Sequence, residues 1–212
     1  MENKKVDKLS VKLSSNTIKP LKSMWISARN CYFKGNFDDL KSQYNEDNAI
    51  KLLKRIYDNG HTSIFENASF QYLVEGASRS LLAQLTRHRI GFSFAVQSQH
   101  FQKHADFHFK DLEKYASINH QRKYYALMDQ INNFYMSSME QGIPRYIARE
   151  VLPNSTSVHM TISANLRALD HFWKLRAGKE NTPEIRKLSK KIYEQTQTII
   201  PRLEEIIKYG GK

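Results

Sequence analysis

The chain has 212 residues, of which 40% are hydrophobic and 11% aromatic, and its formal charge is +12. That length and apolar content suit one packed core and exclude wholesale disorder. No apolar run approaches the ~20 residues of a membrane-spanning helix, "MENKKVDKLSVKLSSNTIK" lacks the apolar segment of a secretory signal, and the single Cys31 excludes an internal disulfide or a paired-cysteine metal site.

Apolar residues recur at helical intervals from Leu21 to Ile26 and then lose their pattern. "YNEDNAIKLLKRIYDNG" carries a stripe of Ile50, Leu53 and Ile56 that predicts a helix ending at Asn59-Gly60. "GHTSIFENAS" reads as a loop, with Ser63 and Glu66 at capping-box spacing. "SFQYLVEG" alternates as a strand broken by Gly76, and Ser78 is placed to cap a helix, "RSLLAQLTRHR", running to Arg89. The stretch around Gly91 and Ser93 reads as irregular, and "HADFHFKDL" has no assignable type. A long amphipathic helix spans "HQRKYYALMDQINNFYMSSMEQG" and stops near Gly142-Ile-Pro144. "RYIAREVLPNS" predicts a short helix ended by Pro153. "SVHMTISANLRALDHFWKLRA" begins as a strand and turns helical near Ala164. A last helix runs from Thr182-Pro183 to Ile207 with a kink at Pro201. Helices and a few strands without βαβ regularity predict an α+β fold with a small sheet. The expected organisation is a single domain, 1–212, with 1–20 a loosely packed basic extension.

Four features could carry chemistry. The run Arg87-His88-Arg89 demands anionic compensation, although basic residues in a last helical turn are also favoured by the helix dipole. In "SANLRALDHFWKLRA", Arg167 and His171 overlie each other, and the plain alternative is a solvated helix edge beside a Leu166, Leu169, Phe172 stripe. His61 stands unexplained beside the capping box. His100, His104 and His108 recur every four residues, but no carboxylate falls in phase and no metal site is expected. Cys31 reads as an ordinary buried cysteine. Lysines 4, 5, 8 and 12 and the segment "IRKLSKKIYEQ" read as solvated faces.

In order along the chain, "ARNCY", "GHTSIFENASF", "QLTRHR" followed by "QSQ", "AREVLP" and "NLRALDHFWKLRA" resemble the motifs of the flavin-dependent thymidylate synthase family. The resemblance implies a homotetramer that binds FAD at active sites shared between subunits and converts dUMP to dTMP with NADPH and methylenetetrahydrofolate. Carried over by position, Ser63, Glu66, Arg87, His88, Arg89, Gln97, Asn165, Arg167 and His171 would serve the flavin. Gln84, Arg87, Ser98, Gln99, His100, Arg149 and Arg176 would hold the nucleotide, with Arg176 the catalytic group that activates the pyrimidine. Eight residues separate Arg89 from Ser98 where the family has seven, which puts Gln97 at the family's serine position if no insertion is present. His100-Phe101 stands where the family has Arg-Tyr, and a mostly neutral histidine is a poorer phosphate partner. The lack of an apolar span and of a signal leads to the expectation of a cytoplasmic protein with no membrane partner, and the resemblance to one without nucleic acid as main partner. Three other readings stand beside it: a related enzyme modifying C5 of another pyrimidine nucleotide such as UMP, a catalytically dead nucleotide-binding member, and a basic nucleic-acid-binding protein with steeply salt-dependent affinity.

Overall fold

The computed structural model describes residues 8–99, 108–112 and 115–210. His100, Phe101 and His104 therefore lie outside the described residues, as do Lys4 and Lys5.

The first element falls where periodicity predicts none. Strand β1, Ser10–Asn16, has Leu9 and Val11 buried beside it. Pro20 then opens helix α1, Pro20–Asn30, at a position where its missing N–H has no helical partner to lose. Leu21, Met24, Trp25 and Ala28 form its buried stripe, and the helix continues past Ile26. Cys31 caps it off that stripe and is exposed, which corrects the expectation of a buried cysteine. Helix α2, Phe37–Ser42, and helix α3, Glu46–Asp58, are capped by the side chains of Asn36 and Asn45. Gly60, at φ 77, ends the second of these as predicted.

Strand β2, Ser69–Ser78, buries Phe70, Tyr72 and Val74 alternately. Gly76 does not break it: the residue takes φ 66 and pairing resumes to Ser78, because glycine absorbs a left-handed conformation without ending a strand. Ser78 accepts from Leu81 N at 2.9 Å, the predicted cap of helix α4, Arg79–Leu85. This helix stops at Leu85, not at Arg89. His88 N closes a turn on Leu85 O at 3.0 Å, and the Arg-His-Arg run lies in the connection to strand β3, Phe92–Val96. Those cations therefore lie just beyond the last helical turn and not in it, and a strand stands where the sequence reads as irregular.

Helix α5, Ile118–Glu140, ends before Gly142 at φ 77. Helix α6, Arg145–Ala148, leads through a 3-10 turn at Arg149–Val151 to Pro153. Strand β4, Ser157–Asn165, alternates, with Val158, Met160, Ile162 and Ala164 buried, and passes directly into helix α7, Leu166–Arg176. Helix α8, Pro183–Gln197, turns Lys187 and Lys190 outward and Ile185, Leu188 and Ile192 inward, but Arg186 and Lys191 are half-buried, so the late basic segment is a solvated face only in part. The expected kink at Pro201 is a full break: Arg202 takes φ 59 before the short helix α9, Leu203–Ile206.

The strands form one sheet in the order β1-β2-β4-β3. Thr17 N pairs with Ser69 O, Arg79 N with Thr156 O, Leu166 N with Ala68 O, and Gln97 N with His159 O, so neighbouring strands run antiparallel. The architecture is α+β. Two compact units divide the chain. One contains Val74–Gln84 and Ala95–Met160, and packs Phe109 and Met128 with Tyr124, Tyr125, Ile131 and Leu152. The other contains Val11–Leu73, Leu85–Phe94 and Thr161–Lys212, with Trp173, Phe172, Tyr72, Phe70 and Phe65 fully buried.

Candidate active site

The second unit holds an open cavity of about 1030 Å³, and its wall begins where β4 becomes α7. Asn165 keeps an extended backbone and its Oδ1 accepts from Ala168 N at 2.9 Å, so it is the N-cap of α7 rather than a member of a helix face. Leu166, Leu169, Phe172 and Trp173 are buried, as the stripe predicts. The helix's other side gives Arg167, His171 and Leu175 to the cavity, and Arg176, in phase with Leu169 and Phe172, reaches it from the last turn.

The Arg-His-Arg connection lies against this helix because residue 91 is glycine. Its O accepts from Asn165 N at 3.3 Å, and a Cβ there would stand 2.7 Å from Ala168 Cβ and 3.0 Å from Asn165 Nδ2. At φ 73 a larger residue would also be strained. Arg87, His88, Arg89, Ile90, Gly91 and Phe92 all line the cavity.

His88 is the most constrained of them. Its ring meets Phe172 edge-on at 5.0 Å, and its Nε2 accepts from Arg176 Nε at 2.9 Å. A guanidinium only donates, so Nε2 carries no proton and the neutral ring is protonated at Nδ1. Burial, then the positive charges of Arg176, His171 and Arg87, push its pKa down from 6.5 to about 4. Arg176 also donates from Nη1 to Asn181 Oδ1 at 3.1 Å. At the entrance, Arg167 Nη1 meets Glu66 Oε1 at 2.5 Å, both side chains being about half exposed.

The lining thus sets four guanidiniums and two imidazoles against one carboxylate. Arg87 and Arg89 are exposed, with no carboxylate partner among the described residues. Such a surface can bind an anion and stabilise negative charge. Among the described lining residues there is no Ser, Thr, Cys or Lys, so it presents no evident nucleophile.

Eight of the sequence-derived residues meet here: Glu66, Arg87, His88, Arg89, Asn165, Arg167, His171 and Arg176. Ser63 belongs to the same unit but is exposed in the 3-10 helix Thr62–Asn67, outside the lining. The capping box drawn through Ser63 and Glu66 does not form, since that helix has no side-chain cap and Glu66 turns to Arg167 instead. Gln84, Gln97, Ser98, Gln99 and Arg149 belong to the first unit. There Gln97 bridges to His159 through both its backbone N and its Oε1, and Arg149 Nε stands 3.9 Å from Glu150 Oε1. Gly91 and Asn181 escaped sequence reasoning. A glycine before the alternating "FSFAV" was a usable signal for the first, whereas nothing in "AGKENTP" marks the second.

Residues 12–202 match the family model described as thymidylate synthase complementing protein. Curated relatives include a flavin-dependent thymidylate synthase of Geobacter sulfurreducens, 28% identical over 198 residues, covering 92% of this chain and 85% of the relative. Another, from Pyrococcus abyssi, is 32% identical over 196 residues and covers 87% and 78%. Among solved structures, the UMP/dUMP methylase PolB from Streptomyces cacaoi bound with 5-Br dUMP has a TM-score of 0.79 over 92% of each chain. At 23% identity that is a likeness of fold.

Proposed function

The chain belongs to the thymidylate synthase complementing protein family, matched over residues 12–202, and from that premise we propose that it is a flavin-dependent thymidylate synthase. It would convert dUMP to dTMP, with NADPH as reductant and methylenetetrahydrofolate as one-carbon donor. The observation that carries this reading is the convergence of Arg87, His88, Arg89, Arg167, His171 and Arg176 on one cavity, from two segments about eighty residues apart in sequence, with Glu66 the one acid among its described lining residues.

The residues present fit FAD. Arg87, Arg89 and Arg167 offer charge-assisted donors to a pyrophosphate, and Ile90, Phe92 and Leu175 offer apolar surface to flat rings. When bound, the flavin supplies the hydride chemistry that no lining side chain can perform. The protein's part is binding, orientation and charge. His88, neutral at physiological pH, leaves Arg176 as the formal cation of that pair. Arg176 would stabilise negative charge developing on the pyrimidine ring, an electrostatic role without proton transfer. Gln84, Ser98, Gln99, His100 and Arg149, together with Arg87 and Arg176, would hold the nucleotide, and Ser63 and Gln97 would complete the flavin's surroundings. Active sites shared between subunits of a homotetramer, and a cytoplasmic location, belong to the same proposal. Among the described residues no helix is long and apolar enough to cross a membrane.

The test is a visible spectrum of the purified protein followed by an assay for dTMP with NADPH and methylenetetrahydrofolate. A flavin spectrum perturbed by dUMP, with dTMP formed, is the expected result. A colourless protein that does not take up FAD would refute the proposal, and faster turnover of UMP than dUMP would move the substrate to the ribonucleotide.

A further inference from the structure

Arg176 is held by two acceptors, of which His88 is only one. The other is Asn181, in the turn between α7 and α8, and its setting is unusually well determined. Asn181 N donates to Gly178 O at 3.2 Å, closing the turn. Its Nδ2 donates to Leu175 O at 2.9 Å, Glu180 Oε1 at 3.1 Å and Gly178 O at 3.3 Å. Two hydrogens are thus shared among three acceptors, and Leu175 O is one of the carbonyls that the end of a helix leaves without a partner.

Chemistry fixes which way the amide points. Two carbonyls and a carboxylate only accept, so the nitrogen must face them. The Arg176 guanidinium only donates, so the oxygen must face it, at 3.1 Å from Nη1. A flipped amide would set donor against donor and acceptor against acceptor.

A guanidinium has five N–H groups in one plane. Nε–H goes to His88 and one Nη1–H to Asn181, so the guanidinium is tied at two of its three nitrogens. Three N–H groups, two on Nη2 and one on Nη1, remain for a ligand in the cavity that Arg176 lines. We propose that Asn181 is a positioning residue that, with His88, fixes the plane of the Arg176 guanidinium and so selects the N–H groups presented to the nucleotide. This rests on the role given to Arg176 above and extends it to a residue outside the cavity lining.

Steady-state kinetics on the FAD-loaded full chain tests it, with wild type, Asn181→Ala, Arg176→Lys and the double variant. In the wild-type background, Asn181→Ala is expected to lower kcat about tenfold and leave KM for dUMP within about twofold, because orientation matters most as charge develops. In the Arg176→Lys background the same substitution should change kcat by less than about twofold, since lysine has no second nitrogen for Asn181 to hold. Equal losses in both backgrounds would mean that Asn181 only supports the turn, and would overturn the proposal. So would an unchanged kcat in Asn181→Ala. Wild-type kcat in Arg176→Lys would instead remove the role assigned to Arg176 itself. Where Asn181→Ala is too unstable to assay, Asn181→Ser and Asn181→Asp make the comparison. Both lose the amide donors, but only aspartate keeps an oxygen within reach of Arg176, so kcat is expected to be lower in the serine variant. Equal or reversed values would overturn the proposal.

Discussion

The two faces of α7 differ in how their charged groups are paired. The buried face carries Leu166, Leu169, Phe172 and Trp173, together with one acid, Asp170, that accepts from Tyr57 OH at 2.9 Å and from Lys174 Nζ at 2.8 Å. Lys174 also lies over the Tyr57 ring, 4.9 Å from its centroid. The cavity face carries Arg167 and His171, joined at the helix end by Arg176, with Glu66 the one carboxylate among the described lining residues. The buried face pairs its acid within the chain, although Trp173 Nε1 has no partner among the described residues, while the cavity face leaves positive charge for something outside the chain to neutralise. The helix thereby separates stability from ligand binding over most of its length, until Arg176, in phase with Leu169 and Phe172, brings the two together in the last turn.

Substitutions should separate the two faces, beginning with the core. Phe172 is fully buried, and Phe172→Ala should destabilise by about 3–5 kcal/mol, read as a lower denaturation midpoint. Because its ring also meets His88, flavin affinity should weaken with it; an unchanged midpoint would break the division. Arg176→Ala should do the opposite, lowering turnover by roughly a hundredfold or more while FAD stays bound. Wild-type turnover would remove its assigned role. Asp170→Ala strands the Tyr57 hydroxyl and the Lys174 ammonium and should cost roughly 1–3 kcal/mol, with Asp170→Asn losing less.

His88 touches both faces, and pH reports on it. The fold holds its pKa at about 4 against an ordinary 6.5, by burial and then by Arg176, His171 and Arg87, so the fold favours the neutral ring. Its contribution to stability should be complete above pH 6.5, decline as pH falls toward 4, and change no further below. Denaturation midpoints across that range should show a slope that His88→Gln flattens. The smallest effect belongs to Glu66→Gln. The half-exposed pair with Arg167 should be worth no more than about 1 kcal/mol, so stability should barely move.

The sequence was most informative where periodicity and chemistry agreed. The α7 stripe, the end of the helix at Asn59-Gly60, the Ser78 cap and the passage from strand to helix near Asn165 were all legible. It misled where a single residue carried two meanings. Gly76 and Gly91 read as breakers, yet one sits within a strand and the other allows a close approach to α7. Missing β3 followed from the second error, and placing Arg87 to Arg89 in a helical turn followed from missing β3. Local spacing could not reveal that Ser63 and Glu66 part company, because Glu66 is drawn to an arginine 101 positions away. Family motifs brought eight cavity residues to notice. Asn181 needed coordinates, since its importance lies in one hydrogen bond to a residue five positions earlier.

The central claim is that the cations on the cavity face of α7 hold an anionic flavin. Titrating flavin-free protein with FAD, wild type against Arg167→Ala, tests it most directly. The account predicts a dissociation constant raised by about tenfold or more in the variant, as the loss of a charge-assisted contact requires, with an unchanged denaturation midpoint. Equal affinities for FAD in the two proteins would contradict it.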